Sequence, residues 1–378
     1  MKTACVLSLL LGAVRALNST IYNPILPGFH PDPSCVFVPN LNNNIFCASS
    51  SFLSFPGILI TASKDLQHWD RVSHAFSRQD QLPAFAQPNT EVGGIWGPTL
   101  RYREGRFYLT TTDVLAPLPD DDDSRWVNFI VTTTDPYRSD SWSDPVYFDV
   151  DGYDPSLFWD DDGLAYLSWA TLNSVNDKII WHAPIDLDSG SIGTRVNIWN
   201  GTGGTTPEGP HMYKKDGYYH LLIAEGGTGK GHMVTIARSK RIYRPYESNP
   251  LNPILTNADT TEYFQAEGHA DLFQDASGHW WGVALSMRLG AEIVNGEQMF
   301  LSPMGRETVL YPVTWRENEW PILLPVRGEI SAWPLPSQDA VGSSPGIGVT
   351  SSDEVDFALA SALPANSGSL WVSRSKLL

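Results

Sequence analysis

The sequence predicts an all-β protein, a five-bladed β-propeller, and three observations support that fold class. Helical periodicity is almost absent, while 31 glycines and 28 prolines interrupt short runs rich in aromatic residues. Five segments are typical of β-hairpins, because each has two apolar runs on either side of a polar turn. The turns recur every 54 to 62 residues, centred near Asn43, Gly105, Gly163, Gly217 and Gly278.

The length of the repeat decides between architectures. Each repeat has room for about four strands, and radial repetition of four-stranded sheets forms a propeller. We therefore assign residues 17–330 to the propeller. A pair of β-sandwiches is the alternative, although sandwiches rarely repeat at this period.

Residues 1–16 are typical of a secretory signal peptide. Lys2 supplies the positive charge, an apolar run follows, and small residues flank the expected cleavage site near Ala16. The apolar run is too short to span a bilayer, and no later stretch has the required length. We therefore expect a secreted, extracellular protein with no membrane partner.

The charge of the chain limits its partners. The formal net charge is −17, and removal of Lys2 and Arg15 with the signal peptide makes it more negative. Such a chain repels nucleic acids and anionic membranes, so a neutral polysaccharide or oligosaccharide is the expected partner.

Export would also permit two covalent modifications. Asn18 and Asn200 begin glycosylation sequons. Only Cys35 and Cys47 remain after cleavage, and they flank the first predicted hairpin. Antiparallel pairing would place them opposite each other, which makes a disulfide feasible, with two free thiols as the alternative.

One polar or aromatic residue precedes the hairpin of each repeat. These residues are Asp32, Trp96, Asp154, Glu208 and His269. In a propeller, this position begins the innermost strand, so all five should converge at one end of the central axis. Pro31 and Pro33 restrain Asp32, and the second proline predicts an extended backbone for it. An ordinary turn aspartate is the alternative, and the equivalence across repeats argues against it.

Three converging carboxylates in a site for neutral sugars suit glycoside hydrolysis. That reaction needs one carboxylic acid and one carboxylate, and a third carboxylate can keep the acid protonated. The longer side chain makes Glu208 the candidate general acid. Asp32 is then the candidate general base and Asp154 the pKa modulator. A structural calcium site is the competing interpretation, because oxygen-rich clusters bind hard cations.

Several motifs, taken together, resemble those of glycoside hydrolase family 43. They are "NPILPGFHPDPS", "GIWGPTLRY", "GYDPSLFWDDDG", "TPEGPHMYKKDGYY", "GHADLF" and "GRETVLYPVTW". The resemblance runs from about residue 22 to 335 and is to the fungal β-xylosidase and α-L-arabinofuranosidase branch. It implies a five-bladed propeller and an inverting, exo-acting mechanism that requires no cofactor. Gly97 in "GIWGPT" stands where that family usually has alanine.

The resemblance also implies a role for seven positions. They are Asp32 as base, Glu208 as acid, Asp154 as pKa modulator, Arg306 as a contact to substrate and carboxylate, His269 as an axial residue near a bound ion, and Trp96 and Phe52 as the aromatic wall of the sugar subsite.

The end of the chain departs from that branch, which normally continues into a C-terminal β-sandwich module. Residues 331–378 are predicted to be a linker and an incomplete segment of such a module. The expected activity is release of terminal α-L-arabinofuranose, β-D-xylose or both from arabinoxylan. Two alternatives remain, a non-catalytic carbohydrate-binding propeller and an endo-arabinanase of the same superfamily.

Overall fold

The computed structural model describes residues 20–85, 90–119, 122–172, 178–203, 206–294, 297–331 and 333–336. The predicted signal peptide, Asn18 and most of the predicted C-terminal segment lie outside the described residues. No helix in the described part of the chain combines the length and apolar character needed to cross a bilayer.

The described residues form five four-stranded antiparallel sheets, which confirms the predicted five-bladed propeller. A short strand, β1 (Ile21–Tyr22), comes first. Blade 1 contains β2 (Ser34–Val38), β3 (Asn44–Ala48), β4 (Gly57–Ser63) and β5 (Asp70–Phe76). Blade 2 contains β6 (Gly94–Arg103), β7 (Arg106–Val114), β8 (Trp126–Thr133) and β9 (Val146–Phe148). Blade 3 contains β10 (Tyr153–Trp159), β11 (Ala165–Leu172), β12 (Lys178–Pro184) and β13 (Val196–Trp199).

The last two blades complete the ring. Blade 4 contains β14 (Glu208–Lys215), β15 (Tyr218–Glu225), β16 (Met233–Ser239) and β17 (Glu247–Ser248). Blade 5 contains β18 (Phe264–Gln274), β19 (Trp280–Arg288), β22 (Glu307–Thr314) and β23 (Ile322–Leu323), with a hairpin of β20 (Gly290–Val294) and β21 (Glu297–Leu301) inserted after β19. The last strand of the described residues is β24 (Glu329–Ile330). One-turn 3-10 helices lie in the described connections at Gln79–Gln81, Asp123–Arg125 and Ser139–Ser141.

Each predicted hairpin forms the first two strands of a blade. The residues at the predicted turn centres have positive φ angles, from 54° at Asn43 to 83° at Gly105. Tight turns between antiparallel strands need this left-handed backbone, which glycine and asparagine adopt most readily. The local turn chemistry therefore accounts for the repeat that the sequence displays.

The hydrophobic core lies in layers between adjacent blades. Phe46 of blade 1, for example, packs edge-on against Phe107 of blade 2, with ring centroids 5.2 Å apart. Trp281 and Leu310 of blade 5 share another layer with Ile45 of blade 1. Full burial of such a side chain stabilises a fold by about 1.5–3 kcal/mol, so these layers hold the blades in place around the axis.

The segment before blade 1 closes the ring. β1 pairs with β24, and Ile21 lies opposite Ile330. The Asn23 side chain donates to the carbonyl oxygens of Leu310 and Arg327 at 2.8 and 2.9 Å, and its own oxygen accepts from the Leu310 amide at 2.8 Å. These contacts hold the segment before blade 1 against blade 5 and the residues that follow it.

A disulfide bridges the first hairpin. The register of β2 and β3 places Cys35 opposite Cys47, and the structure joins their sulfur atoms, with the Cα atoms 4.1 Å apart. Both residues are buried in the layer between blades 5 and 1.

Candidate active site

The innermost strands bring the five predicted residues to the same end of the axis. Asp32 lies just before β2, whereas Trp96, Asp154, Glu208 and His269 lie within β6, β10, β14 and β18. The strand pairing is irregular beside each of those four residues. Such bulges bend a strand and redirect its side chains. Bulges in four successive blades therefore turn these residues toward a common centre.

The prediction of an extended backbone at Asp32 is wrong. Its φ angle is 54°, in the left-handed region that aspartate tolerates better than most residues. The tertiary contacts explain the difference. The Ser50 amide donates to the Pro31 carbonyl at 2.9 Å, and the Ser50 hydroxyl donates to Asp32 Oδ2 at 2.6 Å. These bonds outweigh the local preference that a following proline imposes.

Asp32 is a buried carboxyl group surrounded by positive partners. Its Oδ1 lies 3.5 Å from His269 Nδ1 and 3.7 Å from Arg306 Nη1. Burial by itself raises the pKa of Asp32, but His269, Arg306 and the Ser50 hydrogen bond outweigh it and hold the pKa below the usual value. The site therefore favours the ionised form of Asp32.

Asp154 has the opposite character. Burial, followed by the negative charges of Glu208 and Asp32, holds the pKa of Asp154 well above its usual range. The Gly209 amide donates to Asp154 Oδ2 at 3.0 Å but does not reverse this direction. Because Glu208 acts on Asp154 more strongly than Asp32 does, Asp154 and Glu208 form the closely interacting pair.

Glu208 is nearly buried at the first position of β14. The Tyr153 hydroxyl donates to its Oε2 at 3.4 Å, and His232 Nε2 lies 3.7 Å from its Oε1. His232 is a site residue that the sequence analysis did not identify, because its segment, just before β16, showed only a glycine-rich loop.

Aromatic rings form one wall of the site. The centroids of Phe52 and Trp96 are 6.1 Å apart, and Trp96 also packs edge-on against Tyr153 at 5.8 Å. The Arg306 guanidinium lies 5.0 Å from the centre of the Phe52 ring. Phe29, which the sequence analysis did not single out, extends this wall at 5.5 Å from Phe52 and is 46% exposed.

Within the described ranges, no group of three or more histidine, cysteine, aspartate or glutamate side chains has the arrangement of a metal site. The ion that the resemblance places near His269 and the alternative of a structural calcium stay predictions, because backbone carbonyl oxygens and water also bind hard cations.

A second cluster crosses the axis one step further along the same inner strands. We call it the axial network, and it consists of Ser34, Arg101, Ser156, His211, Tyr213 and Asp271. Arg101 donates to Asp271 Oδ2 at 2.7 Å, and Ser34 and Tyr213 each donate to that carboxylate at 2.6 Å. His211 Nδ1 lies 3.0 Å from both Arg101 Nη2 and Ser156 Oγ.

The axial network takes at least one residue from every blade, and Asp271 lies at its centre. Burial alone raises the pKa of Asp271, but Arg101 and the hydrogen bonds hold it far below the usual value. A signal for this cluster existed in the sequence, since Ser34, Ser156 and Asp271 each follow a predicted site residue by two positions.

Fold and site together define a class of protein, a five-bladed β-propeller with a buried carboxylate cluster at one end of its axis. The chain belongs to glycosyl hydrolases family 43, whose family model matches residues 21–321.

Curated relatives and solved structures agree with that assignment. The non-reducing end alpha-L-arabinofuranosidase BoGH43B of Bacteroides ovatus is 38% identical over 85% of this chain, and the xylosidase/arabinosidase 43B of Humicola insolens is 36% identical over 79%. The structure is similar to that of a xylan beta-1,4-xylosidase from Bacillus halodurans, with a TM-score of 0.72 and 39% identity over 80% of this chain. The matched region spans 58%, 54% and 56% of these three proteins, respectively.

Proposed function

We propose that this protein is a secreted, inverting exo-glycoside hydrolase that removes terminal α-L-arabinofuranose, β-D-xylose or both from arabinoxylan. The main support for the proposal is that two buried carboxyl groups at one end of the axis have pKa values shifted in opposite directions. Asp32 is held ionised by His269 and Arg306, whereas Asp154 is held protonated beside Glu208. Acid–base hydrolysis of a glycoside requires one protonated and one ionised carboxyl group.

Asp32 acts as the general base in this mechanism. A base must be ionised when the sugar is bound, and the charges around Asp32 favour that form below the usual aspartate range. The Ser50 hydrogen bond fixes Oδ2, so Oδ1 is the oxygen that accepts a proton from the attacking water.

Glu208 acts as the general acid, and Asp154 supports it. Two neighbouring carboxyl groups in a buried site resist simultaneous ionisation, so the pair retains a proton as a unit. Glu208 has the longer side chain and lies beside the aromatic wall through Tyr153. In the reaction it gives its proton to the leaving oxygen while the water loses one to Asp32.

The positions of the blades favour inversion. Asp32 comes from blade 1, and Glu208 comes from blade 4, so acid and base approach the sugar from different sides of the axis. An inverting enzyme needs this spacing because a water molecule must fit between the base and the sugar.

Two further observations support exo action and export. The axial network crosses the axis directly beyond the carboxylates, which favours a pocket entered from one end and thus a terminal sugar. The Cys35–Cys47 disulfide suits an oxidising compartment. The relatives include an arabinofuranosidase and xylosidase/arabinosidases, which supports pentose substrates.

The experiment is to identify the products released from arabinoxylan and from xylo-oligosaccharides by chromatography and to follow the anomeric configuration of the first product by NMR. We expect a free pentose whose configuration is inverted. Long internal oligosaccharides would instead support the endo-arabinanase alternative. Binding without cleavage would support the carbohydrate-binding alternative, and a retained configuration would contradict the base role of Asp32.

A further inference from the structure

His232 lies beside the proposed acid and is fully buried. Its Nδ1 lies 3.3 Å from the carbonyl oxygen of Ala266, and its Nε2 lies 3.7 Å from Glu208 Oε1. Nε2 has no hydrogen-bond partner among the described residues. The ring thus has one nitrogen engaged by the backbone and one nitrogen directed at the carboxyl group of Glu208.

The backbone contact fixes which nitrogen carries the hydrogen. A carbonyl oxygen can only accept, so Nδ1 must be the donor toward Ala266. Burial, reinforced by His269, lowers the pKa of His232 to about 4, so the ring is neutral at higher pH. In that tautomer, Nε2 presents a lone pair to Glu208 Oε1.

The packing around the ring maintains this orientation. A Cβ atom added at Gly268 would lie 2.2 Å from ring atoms of His232, so only glycine at that position leaves room for the ring. The same bulged strand supplies the Ala266 carbonyl. The position of His232 is therefore set by two features of β18, an absent side chain and a backbone acceptor.

We propose that His232 is a positioning residue that favours the protonated form of Glu208. An unprotonated Nε2 accepts a hydrogen bond from a protonated carboxyl group, whereas it repels a carboxylate oxygen. Protonated Glu208 is therefore stabilised before the reaction. After Glu208 gives its proton to the leaving oxygen, the repulsion favours recovery of a proton from water. The inference rests on the proposed function, in which Glu208 is the acid.

Other charged and titratable groups also face this part of the site, and their effects must be separated from that of His232. They are Asp32, Tyr153, Asp154, His269 and Arg306. All remain unchanged in a variant of His232, so a change in pH dependence reports on the imidazole itself.

The test is the pH profile of kcat/KM for His232→Asn. Asparagine can keep an amide contact to the Ala266 carbonyl, but it places no atom at the position of Nε2. The basic limb of the profile reports loss of the proton from the acid. We expect this limb to move to lower pH and kcat/KM on xylobiose or an arabinosylated xylo-oligosaccharide to fall roughly tenfold at neutral pH. An aryl glycoside whose leaving group needs no protonation should lose much less.

His220→Asn is the matched control, because His220 is another buried histidine of blade 4 but packs against Trp315 rather than against Asp32, Asp154 or Glu208. It should leave the basic limb unchanged. An unchanged limb in His232→Asn, or equal losses on both substrates, would overturn the inference while leaving the proposed function intact. An inactive wild-type protein would overturn both. If His232→Asn does not fold, His232→Gln gives the same comparison, since its amide can donate to the carboxylate and should also move the limb to lower pH.

Discussion

Asp32 and Asp154 are both buried carboxyl groups beside His269, yet their surroundings favour opposite protonation states. Asp32 has Arg306 and the Ser50 hydroxyl, whereas Asp154 has the negative charge of Glu208. At the scale of single residues, the proposed chemistry therefore depends on neighbours supplied by other blades. The residue types alone would not separate the two aspartates.

The role of Glu208 is tested by a leaving-group comparison. Glu208→Gln removes the proton donor but preserves the size of the side chain, so activity on natural glycosides should fall by about 10²–10⁴-fold. Aryl glycosides with acidic leaving groups should lose far less, as measured by kcat on both substrates. Equal losses on the two substrates would show that Glu208 is not the acid.

Arg306 should set the acidic limit of activity. Arg306→Gln removes a positive charge that lowers the pKa of Asp32, so that pKa should rise. The acidic limb of kcat/KM should then move to higher pH. Arg195→Gln is the control, since Arg195 forms a partly exposed ion pair with Asp151. A limb that stays in place in Arg306→Gln would contradict the base assignment.

The absence of a side chain at Gly97 leaves room for the carboxyl group of Asp154. A Cβ atom at Gly97 would lie 2.1 Å from Asp154 Oδ1 and 3.3 Å from a carbon of the His269 ring. Alanine is usual at this position in the family that the motifs resemble, but in this chain the Asp154 carboxyl group occupies the space that the alanine Cβ atom needs. Gly97→Ala should therefore displace that carboxyl group and lower kcat by roughly 10- to 100-fold, with little change in thermal midpoint because only a side-chain end must move. Gly229→Ala, where an added Cβ meets nothing within 4 Å, should leave kcat unchanged. Full activity of Gly97→Ala would contradict this account.

At the scale of strands and hairpins, the sequence predicted the parts that depend on local chemistry. The turn residues and the apolar runs between them were sufficient to place the first two strands of every blade. The hairpin of β20 and β21 was missed, although the Asn295–Gly296 pair is a strong turn signal. It was missed because it interrupts the repeat on which the other assignments depended.

Neighbouring residues in the sequence could not predict the backbone conformation of Asp32 or the role of His232. The rule for a residue before proline considers only adjacent atoms, whereas the φ angle of Asp32 accompanies hydrogen bonds to Ser50. The orientation of the His232 ring depends on a carbonyl group of β18, and no residue spacing in its own segment could indicate that contact.

The disulfide of the first hairpin should stabilise blade 1 measurably. Replacement of Cys35 and Cys47 by serine releases a link across 12 residues and should lower the free energy of unfolding by about 2–4 kcal/mol. Denaturant unfolding of the oxidised protein measures the change, and reduced wild type should approach the double variant. Coincident unfolding curves of oxidised and reduced wild type would contradict the prediction.

At the scale of the whole molecule, the axial network joins four blades directly at the Asp271 carboxylate and blade 3 through the contact of Ser156 with His211. Asp271→Asn leaves the Arg101 charge without its partner in a largely buried position. We expect a loss of about 3–5 kcal/mol in the free energy of unfolding, measured by denaturant titration. Asp140→Asn, which breaks an exposed ion pair with Arg138, should change stability little. Equal effects of the two variants would contradict a central role for Asp271.

The predicted number of blades was confirmed because equivalent residues recur at a regular interval along the whole propeller. The axial network was not anticipated, since Arg101 occupies a different offset from the residues that it binds in the other blades. Ser34, Ser156 and Asp271 share one offset in the chain, but Arg101, His211 and Tyr213 do not, so the shared offset could indicate only half of the cluster.

The closure of the ring has a consequence for synthesis. The loop that carries Asp32 is held by blade 5, because the His30 amide donates to the Arg306 carbonyl at 2.9 Å and the Thr308 hydroxyl donates to the His30 carbonyl, 278 residues away in the chain, at 2.7 Å. During translation, blade 1 leaves the ribosome long before blade 5, which holds this loop, has been synthesised. Asp32, the earliest translated residue of the proposed site, is therefore the last to gain its partners, because a nascent chain with only four blades still lacks His269 and Arg306.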